Sequence, residues 1–281
     1  MKKIEKGLAF VKQELAMFRC TVCMEPYVAV EGTSLVCANH HQIDMNKKGT
    51  LTFLNHSVNT EYDDAMLAAR RRVLTAGLFD GIIAGVAANL PQAAQSILDV
   101  GTGEGTPFSR LLAKRQLADV GIGFDISKAG INLASQLDTN AFFAVADLAK
   151  LPFNDQTFDA VIEFFSPSAY DEFKRVLKPT GRLIKVVPAA GYLRELREKL
   201  YPVGHPNHTY SNAKVVERFM AQYPAAKRQS VQYVWDIPSE RYQDLLEMTP
   251  LHWGARPEAQ EAAKAQPLAQ ITVDVELLVV P

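Results

Sequence analysis

The chain has 281 residues, 48% of them apolar, enough for one large domain and a small one. Thirty lysines and arginines stand against 31 acidic residues, a formal net charge of −1, so any nucleic-acid binding must rest on local patches rather than a global basic field. No apolar run is long enough to span a bilayer, no secretory leader is visible, and three cysteines argue against a disulfide framework; the expectation is a cytoplasmic protein with no membrane partner.

Residues 1–17 are patterned as an amphipathic helix with Leu8, Val11, Leu15 and Phe18 on one side, and Met17 offers an alternative start that would make it dispensable. All three cysteines follow at once: Cys20 and Cys23, then Cys37, with His41 four residues on. This is the spacing of a closed tetrahedral zinc site with three thiolates and one imidazole. His40 competes with His41 for the fourth position. Four protein ligands leave no place for water, so a structural zinc is expected, one that helps the small module to fold. Tyr27, Val28, Val30, Leu35 and Val36 supply two short strands around a turn at Glu31-Gly32-Thr33.

Lys47 and Lys48 follow the metal motif. Asp63 and Asp64 then open a helix that carries Arg70, Arg71 and Arg72. Three adjacent arginines point in different directions around a helix, so one or two could reach phosphate. A solvated face paired with the nearby carboxylates is an equal reading.

The next signal is a strand at 96–100 running into Gly101-Thr102-Gly103-Glu104-Gly105, with a helix from Thr106 to about Arg115. A second strand, 120–124, ends at Asp125, a carboxylate placed to accept ribose hydroxyls. A third, 142–147, ends at Asp147, followed by Leu148. Leu151-Pro152-Phe153 and Phe158-Asp159 lead into a fourth strand. A turn over 176–181 leads into a fifth, 182–187. The alternation predicts an α/β doubly wound fold. It fits a class I S-adenosylmethionine (SAM) methyltransferase, Rossmann-like with a seven-stranded, mostly parallel sheet. Asp99, Gly101, Gly103, Glu104, Gly105, Thr106, Asp125, Asp147 and Leu148 are expected to bind the cofactor. The expected organisation is a zinc-binding recognition module at 1–54, a helical linker at 55–90 and the methyltransferase domain at 91–281.

The segment after the fourth strand, Glu163-Phe164-Phe165-Ser166-Pro167-Ser168, lacks the Asn/Asp-Pro-Pro-aromatic motif of many exocyclic amine methyltransferases. With every cysteine assigned to metal, no thiol remains as a nucleophile for pyrimidine C5 chemistry. Endocyclic nitrogen, oxygen or a small-molecule atom remains as the acceptor. Phe165 and Trp253 are the better candidates for stacking on a base, and Arg256 for an RNA contact. No catalytic base is assigned; Glu163 qualifies by position only.

Taken together, the sequence resembles the bacterial 23S rRNA guanine-N1 methyltransferase family, RlmA (also called RrmA), with its TlrB-like Gram-positive branch. The resemblance rests on Cys20-x2-Cys23, Cys37-x3-His41-Gln42-Ile43-Asp44, Lys48-Gly49 and the run from Ala69 to Gly77. It continues with Asp99 to Gly105, Met248-Thr249-Pro250 and Trp253-Gly254-Ala255-Arg256-Pro257-Glu258. Thr102, Thr180 and Val73 depart from the family pattern without removing an expected ligand. The resemblance implies SAM-dependent methylation of guanine N1 in a stem-loop of 23S rRNA (hairpin 35, domain II), a homodimer whose zinc modules help form an RNA cleft, and an effect on tylosin-type macrolide resistance. The competing expectation is a SAM-dependent enzyme acting on a small molecule, with a structural zinc ribbon.

Overall fold

The computed structural model describes residues 1–54 and 63–281. The start of the expected linker, 55–62, lies outside the described residues. The chain divides into two compact units: unit one is Met1–Glu61 with Leu90–Leu183, and unit two is Tyr62–Asn89 with Ile184–Pro281.

Unit one opens with α1 (Lys3–Gln13), shorter than the 1–17 pattern suggested, and a 3-10 turn over Leu15–Met17. Three short strands follow, β1 (Tyr27–Glu31), β2 (Ser34–Cys37) and β3 (Gln42–Asp44), in one antiparallel sheet of order β1-β2-β3. Gly32, at φ 59°, makes the expected turn. The chain then adds β4 (Leu51–Thr52), which pairs in parallel with β7 (Phe142–Val145), Leu51 opposite Ala144. Helices α2 (Asp64–Thr75) and α3 (Asp80–Ala88) belong to unit two. Back in unit one come β5 (Ser96–Val100), α4 (Thr106–Arg115), β6 (Val120–Asp125), α5 (Lys128–Ala134), β8 (Phe158–Phe164) and α6 (Tyr170–Val176). β9 (Leu177–Pro188) follows without the turn expected over 176–181, because the strand begins as soon as α6 ends. The strand order is β9-β8-β5-β6-β7-β4. The described pairs of β4 through β8 are parallel. β5 is buried over most of its length, as a central strand covered on both faces must be.

The cysteine-bearing module shares its core with this sheet. Phe18, fully buried, lies 5.8 Å from the Phe142 ring, 5.7 Å from Phe153 and 6.4 Å from Phe53. Phe10 of α1 stacks on Phe142 at 5.0 Å. The Arg19 amide donates to the Pro152 carbonyl, and Asn154 donates to the carbonyls of Ala16 and Phe18. Arg175 ties the Leu151-Pro152-Phe153 run to Glu172 and Asp155, and Arg19 reaches the same Asp155. The run leading into β8 thus seats the cysteine-bearing module. Truncating a buried phenylalanine removes burial and leaves a cavity. Phe18→Ala is expected to lower the unfolding free energy by about 3–5 kcal/mol. Urea melts followed by far-UV circular dichroism should show it; a loss under about 0.5 kcal/mol would deny the shared core.

Unit two contains α2, α3, the distal part of β9, α7 (Arg194–Leu200), α8 (Ala213–Gln222), β10 (Lys227–Asp236), α9 (Tyr242–Glu247), α10 (Pro250–Trp253), α11 (Pro257–Ala265) and β11 (Gln270–Val280). The strand order here is β10-β11-β9, with β10 and β11 antiparallel from Lys227↔Val279 to Asp236↔Gln270. With β4 through β11 the strands number eight among the described residues, one more than the expected seven. The addition is β4, too short for its sequence to announce it. Asp63 caps α2 by accepting the Met66 amide at 2.8 Å. No helix of the described residues is long and apolar enough to cross a membrane.

Candidate functional site

The first site is the cysteine cluster. Cys20 and Cys23 flank a tight turn in which the Met24 amide returns to the Cys20 carbonyl and the Val22 amide points at the Cys20 sulfur at 3.4 Å. Cys37 ends β2, and the next turn closes with the Cys37 amide donating to the His41 carbonyl. The ligand atoms of Cys20, Cys23, Cys37 and His41 all lie within 4.8 Å of one another. Cys23 Sγ is 3.6 Å from Cys37 Sγ, which is 3.5 Å from His41 Nδ1. Ligands at about 2.3 Å (sulfur) and about 2.0 Å (nitrogen) from a tetrahedral ion would stand about 3.8 Å and about 3.5 Å apart, so the donor set fits. His40 is exposed and left-handed at φ 60°, outside the cluster; His41 faces it. A hydrogen bond from the Glu25 amide, outweighing burial and joined by Asn39, brings the Cys23 thiol down to about 6, toward the thiolate a metal needs. Burial pushes the Cys37 thiol up.

The second site is built where four parallel strands end together. Val100 of β5 lies opposite Phe124 of β6 and Glu163 of β8, and Asp125 opposite Val145 of β7. The register brings Gly101, Asp125, Asp147 and Glu163 to one edge, the place where open α/β sheets bind ligands. The loop 101–105 holds three glycines at positive φ. At Gly101 a Cβ would come within 2.7 Å of Ser166, so only glycine lets the two loops approach. At Gly103 a Cβ would meet nothing within 4 Å, and that open space is the cradle. Asp125 braces it: one carboxylate oxygen accepts the Gly103 amide and the other the Ser127 amide, both at 2.8 Å. Thr102 Oγ1 is buried with no hydrogen-bond partner among the described residues. Asp99, in β5, is buried. Glu104 is fully buried and accepts the Thr106 hydroxyl at 2.5 Å. Asp147 accepts the Ala149 amide and, with Leu148, is half-buried. A glycine loop, open space above Gly103 and an acid 22 residues along suit a nucleoside with a polar tail.

Glu163 is fully buried and accepts the Ser168 hydroxyl at 2.8 and 3.1 Å, which pins the 164–168 loop across the cradle. Phe165, in that loop, is half-buried at φ 60°. The basic residues scatter. Lys47 and Lys48 are exposed in the turn after β3. Arg70 lies over the Phe79 ring at 5.5 Å. Arg71 is half-buried. Arg72 is committed to Asp244, donating from Nη2 at 2.6 Å and from Nε at 2.9 Å. Trp253, 38% exposed, donates its indole N–H to the Glu247 carbonyl, and Arg256 is exposed at the start of α11. The sequence reading missed Arg19, Asp155, Glu172 and Arg175, whose roles depend on partners no local pattern names.

The glycine loop after the first strand of a parallel sheet, and the acid ending the second, define a class I SAM-dependent methyltransferase; a family described as a methyltransferase domain matches residues 91–231. Over 95% of this chain and 97% of its own length, YxjB of Bacillus subtilis (strain 168), provisionally named a 23S rRNA (guanine-N(1)-)-methyltransferase, is 39% identical. The chain belongs to that family, the 23S rRNA guanine-N1 methyltransferases. The Streptomyces fradiae protein named 23S rRNA (guanine(748)-N(1))-methyltransferase is 25% identical over 95% of this chain and 98% of its own. Among solved structures, a chain of the complex between the Haloferax volcanii Trm112 methyltransferase activator and a methyltransferase superposes with a TM-score of 0.51. Its identity is 23%, over 80% of this chain and all of that one, a likeness of fold.

Proposed function

We propose that this protein transfers a methyl group from SAM to N1 of a guanine in hairpin 35, domain II, of 23S rRNA. The observation that carries the reading is the 39% identity to YxjB along nearly the whole of both chains, which takes in the cysteine module as well as the cofactor domain. A small-molecule enzyme would not need that module. In this reading Cys20, Cys23, Cys37 and His41 hold one structural zinc. Asp99, Gly101, Gly103, Glu104, Gly105, Thr106, Asp125, Asp147 and Leu148 line the SAM site. Lys47, Lys48, Arg70, Arg71, Phe165, Trp253 and Arg256 face the RNA.

Bound SAM supplies an electrophilic methyl on sulfur. Guanine N1 carries a proton and lies on the Watson–Crick edge, so the base must leave its pairing before it can react. The 164–168 loop, pinned by Glu163 and Ser168 over the glycine cradle, is placed to receive an extruded base, with Phe165 as the ring to stack on it. Glu163, enclosed and holding Ser168, braces this loop, and the N1 proton leaves to solvent. The catalytic contribution is positioning of acceptor and methyl in line. The reading extends to a cytoplasmic homodimer and to altered tylosin susceptibility.

N1 methylation blocks Watson–Crick pairing and stops reverse transcriptase. Primer extension on 23S rRNA should show a stop in hairpin 35 in wild-type cells and none in a deletion strain. The same pattern in both strains would remove the rRNA assignment.

A further inference from the structure

We infer that a cleft on unit one, remote from the glycine cradle, takes an unpaired nucleotide of the substrate RNA, with Phe10 as the stacking ring and Lys3, Lys6 and Lys48 as phosphate contacts; the inference deepens, and rests on, the reading of the protein as an RNA methyltransferase. The cleft has a volume of about 710 Å³ and opens to solvent. One wall is α1, with Lys3, Lys6 and Phe10, and another is the turn at Lys48-Gly49-Thr50. The rest comes from the chain around the starts of β6 and β7, including Val120 and Phe142. Asp125 and Asp147 of the cofactor site stand at or just beyond the opposite ends of those strands. At about 3.3 Å per residue, β6 sets the two places about 16 Å apart. The cleft is therefore no part of the cofactor site.

Two glycines build it. A Cβ at Gly7 would come within 2.5 Å of the Gly49 carbonyl oxygen and 2.6 Å of Met45 Sδ, and a Cβ at Gly49, at φ 75°, would strike the Lys3 carbonyl. Only glycine at both places lets α1 lie on the turn, and that contact sets Lys3 beside Lys48. The turn is itself fixed, since Asn46 Oδ1 accepts the Lys48 amide at 2.8 Å and the Thr50 amide at 3.3 Å. Lys3, Lys6 and Lys48 are exposed, and none has an ion pair among the described residues. Of the acids lining the cleft, Asp119 is held by Arg115 at 2.6 Å, which leaves Glu14 and Asp138 against three ammonium groups. Phe10 is half-buried and stacks on Phe142 at 5.0 Å with the ring planes 8° apart, an aromatic step inside the cleft. A base stacked on such a ring, with lysines tracking the phosphates beside it, is how single-stranded RNA is held. Gln13 and Asn140 add amides that both donate and accept, as a base edge requires. An acidic peptide would meet the lysines and leave the ring and the amides without a flat partner.

The test uses the full chain and a labelled hairpin 35 RNA, with anisotropy measured from about 50 to about 300 mM salt. The double variant Lys3→Gln/Lys6→Gln is expected to raise Kd about tenfold at low salt and to flatten the log–log salt slope by about 1.4, two single-strand phosphate contacts at about 0.7 each. Phe10→Leu keeps an apolar side chain against Phe142 and removes the ring. It should raise Kd at least about fivefold with the slope unchanged, and leave binding of a fully paired duplex of the same length as it was. SAM affinity by calorimetry should stay within about twofold in both. An unchanged slope in the lysine variant overturns the inference. So does a Phe10→Leu loss that is equal on paired and unpaired RNA, the mark of a purely structural ring, and so does wild-type protein that binds no RNA. If Phe10→Leu does not fold, wild-type protein decides: RNA should shield Lys3, Lys6 and Lys48 from acetylation read by mass spectrometry. Equal labelling with and without RNA, or shielding by guanosine monophosphate alone, overturns the inference. Methyl transfer is assayed separately: RNA bound with the expected slope change but not methylated at N1 sinks the proposed function and leaves the cleft standing.

Discussion

On the proposed zinc assignment, Cys37→Ala will release the metal from the cysteine cluster and destabilise unit one well beyond the module itself. Structural zinc contributes about 10–16 kcal/mol to folding in small zinc-finger peptides, because the ligands are brought together only in the folded state. The strands β1, β2 and β3 have 5, 4 and 3 residues, too little to hold four ligands in place without the ion. The damage spreads because β4 and Phe18 join the module to the sheet. Elemental analysis should give about one zinc per wild-type chain and next to none for Cys37→Ala, and the melting temperature should fall by more than about 10 °C. His41→Ala should follow Cys37→Ala, whereas His40→Ala should keep the metal. Full metal content in Cys37→Ala would sink the assignment.

Asp125→Ala will weaken SAM binding by at least about 100-fold. Charge-assisted hydrogen bonds contribute about 1.5–3 kcal/mol each, and about 1.4 kcal/mol is a factor of ten. In the proposed SAM site Asp125 acts twice: its carboxylate is to accept two ribose hydroxyls, and it holds the Gly103 amide at 2.8 Å, which shapes the cradle. Asp125→Asn keeps one acceptor oxygen and should lose about tenfold. Calorimetry with SAM distinguishes the pair. An affinity within threefold of wild type in Asp125→Ala would place the ribose elsewhere.

The chemistry of both sites was legible in local spacing. A two-residue gap between Cys20 and Cys23 and a three-residue gap between Cys37 and His41 each fit one turn, so backbone connectivity alone brings each pair together. The glycine loop and the strand-end carboxylates were equally readable, since strand, turn and helix are local events. Spacing left His40 beside His41, and the family pattern favoured His41; the structure adds the physical difference, His40 taking the left-handed conformation outside the cluster. The arginine trio showed the same limit from the other side. Its spacing announced three cations, yet Arg72 spends its charge on Asp244, 172 residues away.

What the sequence determined by itself was therefore the cysteine–histidine spacing, the glycine loop, the α/β alternation and the family. What only the tertiary structure decided was how distant stretches meet: Leu51 beside Ala144, Phe18 against Phe153, and Arg19 and Arg175 on one Asp155. The physical reason is range. Turns, helices and ligand knuckles are set by interactions within a few residues and leave a periodic trace. Core packing and the neutralisation of a buried charge depend on which remote groups fill the neighbouring space, and a chain carries no local record of that.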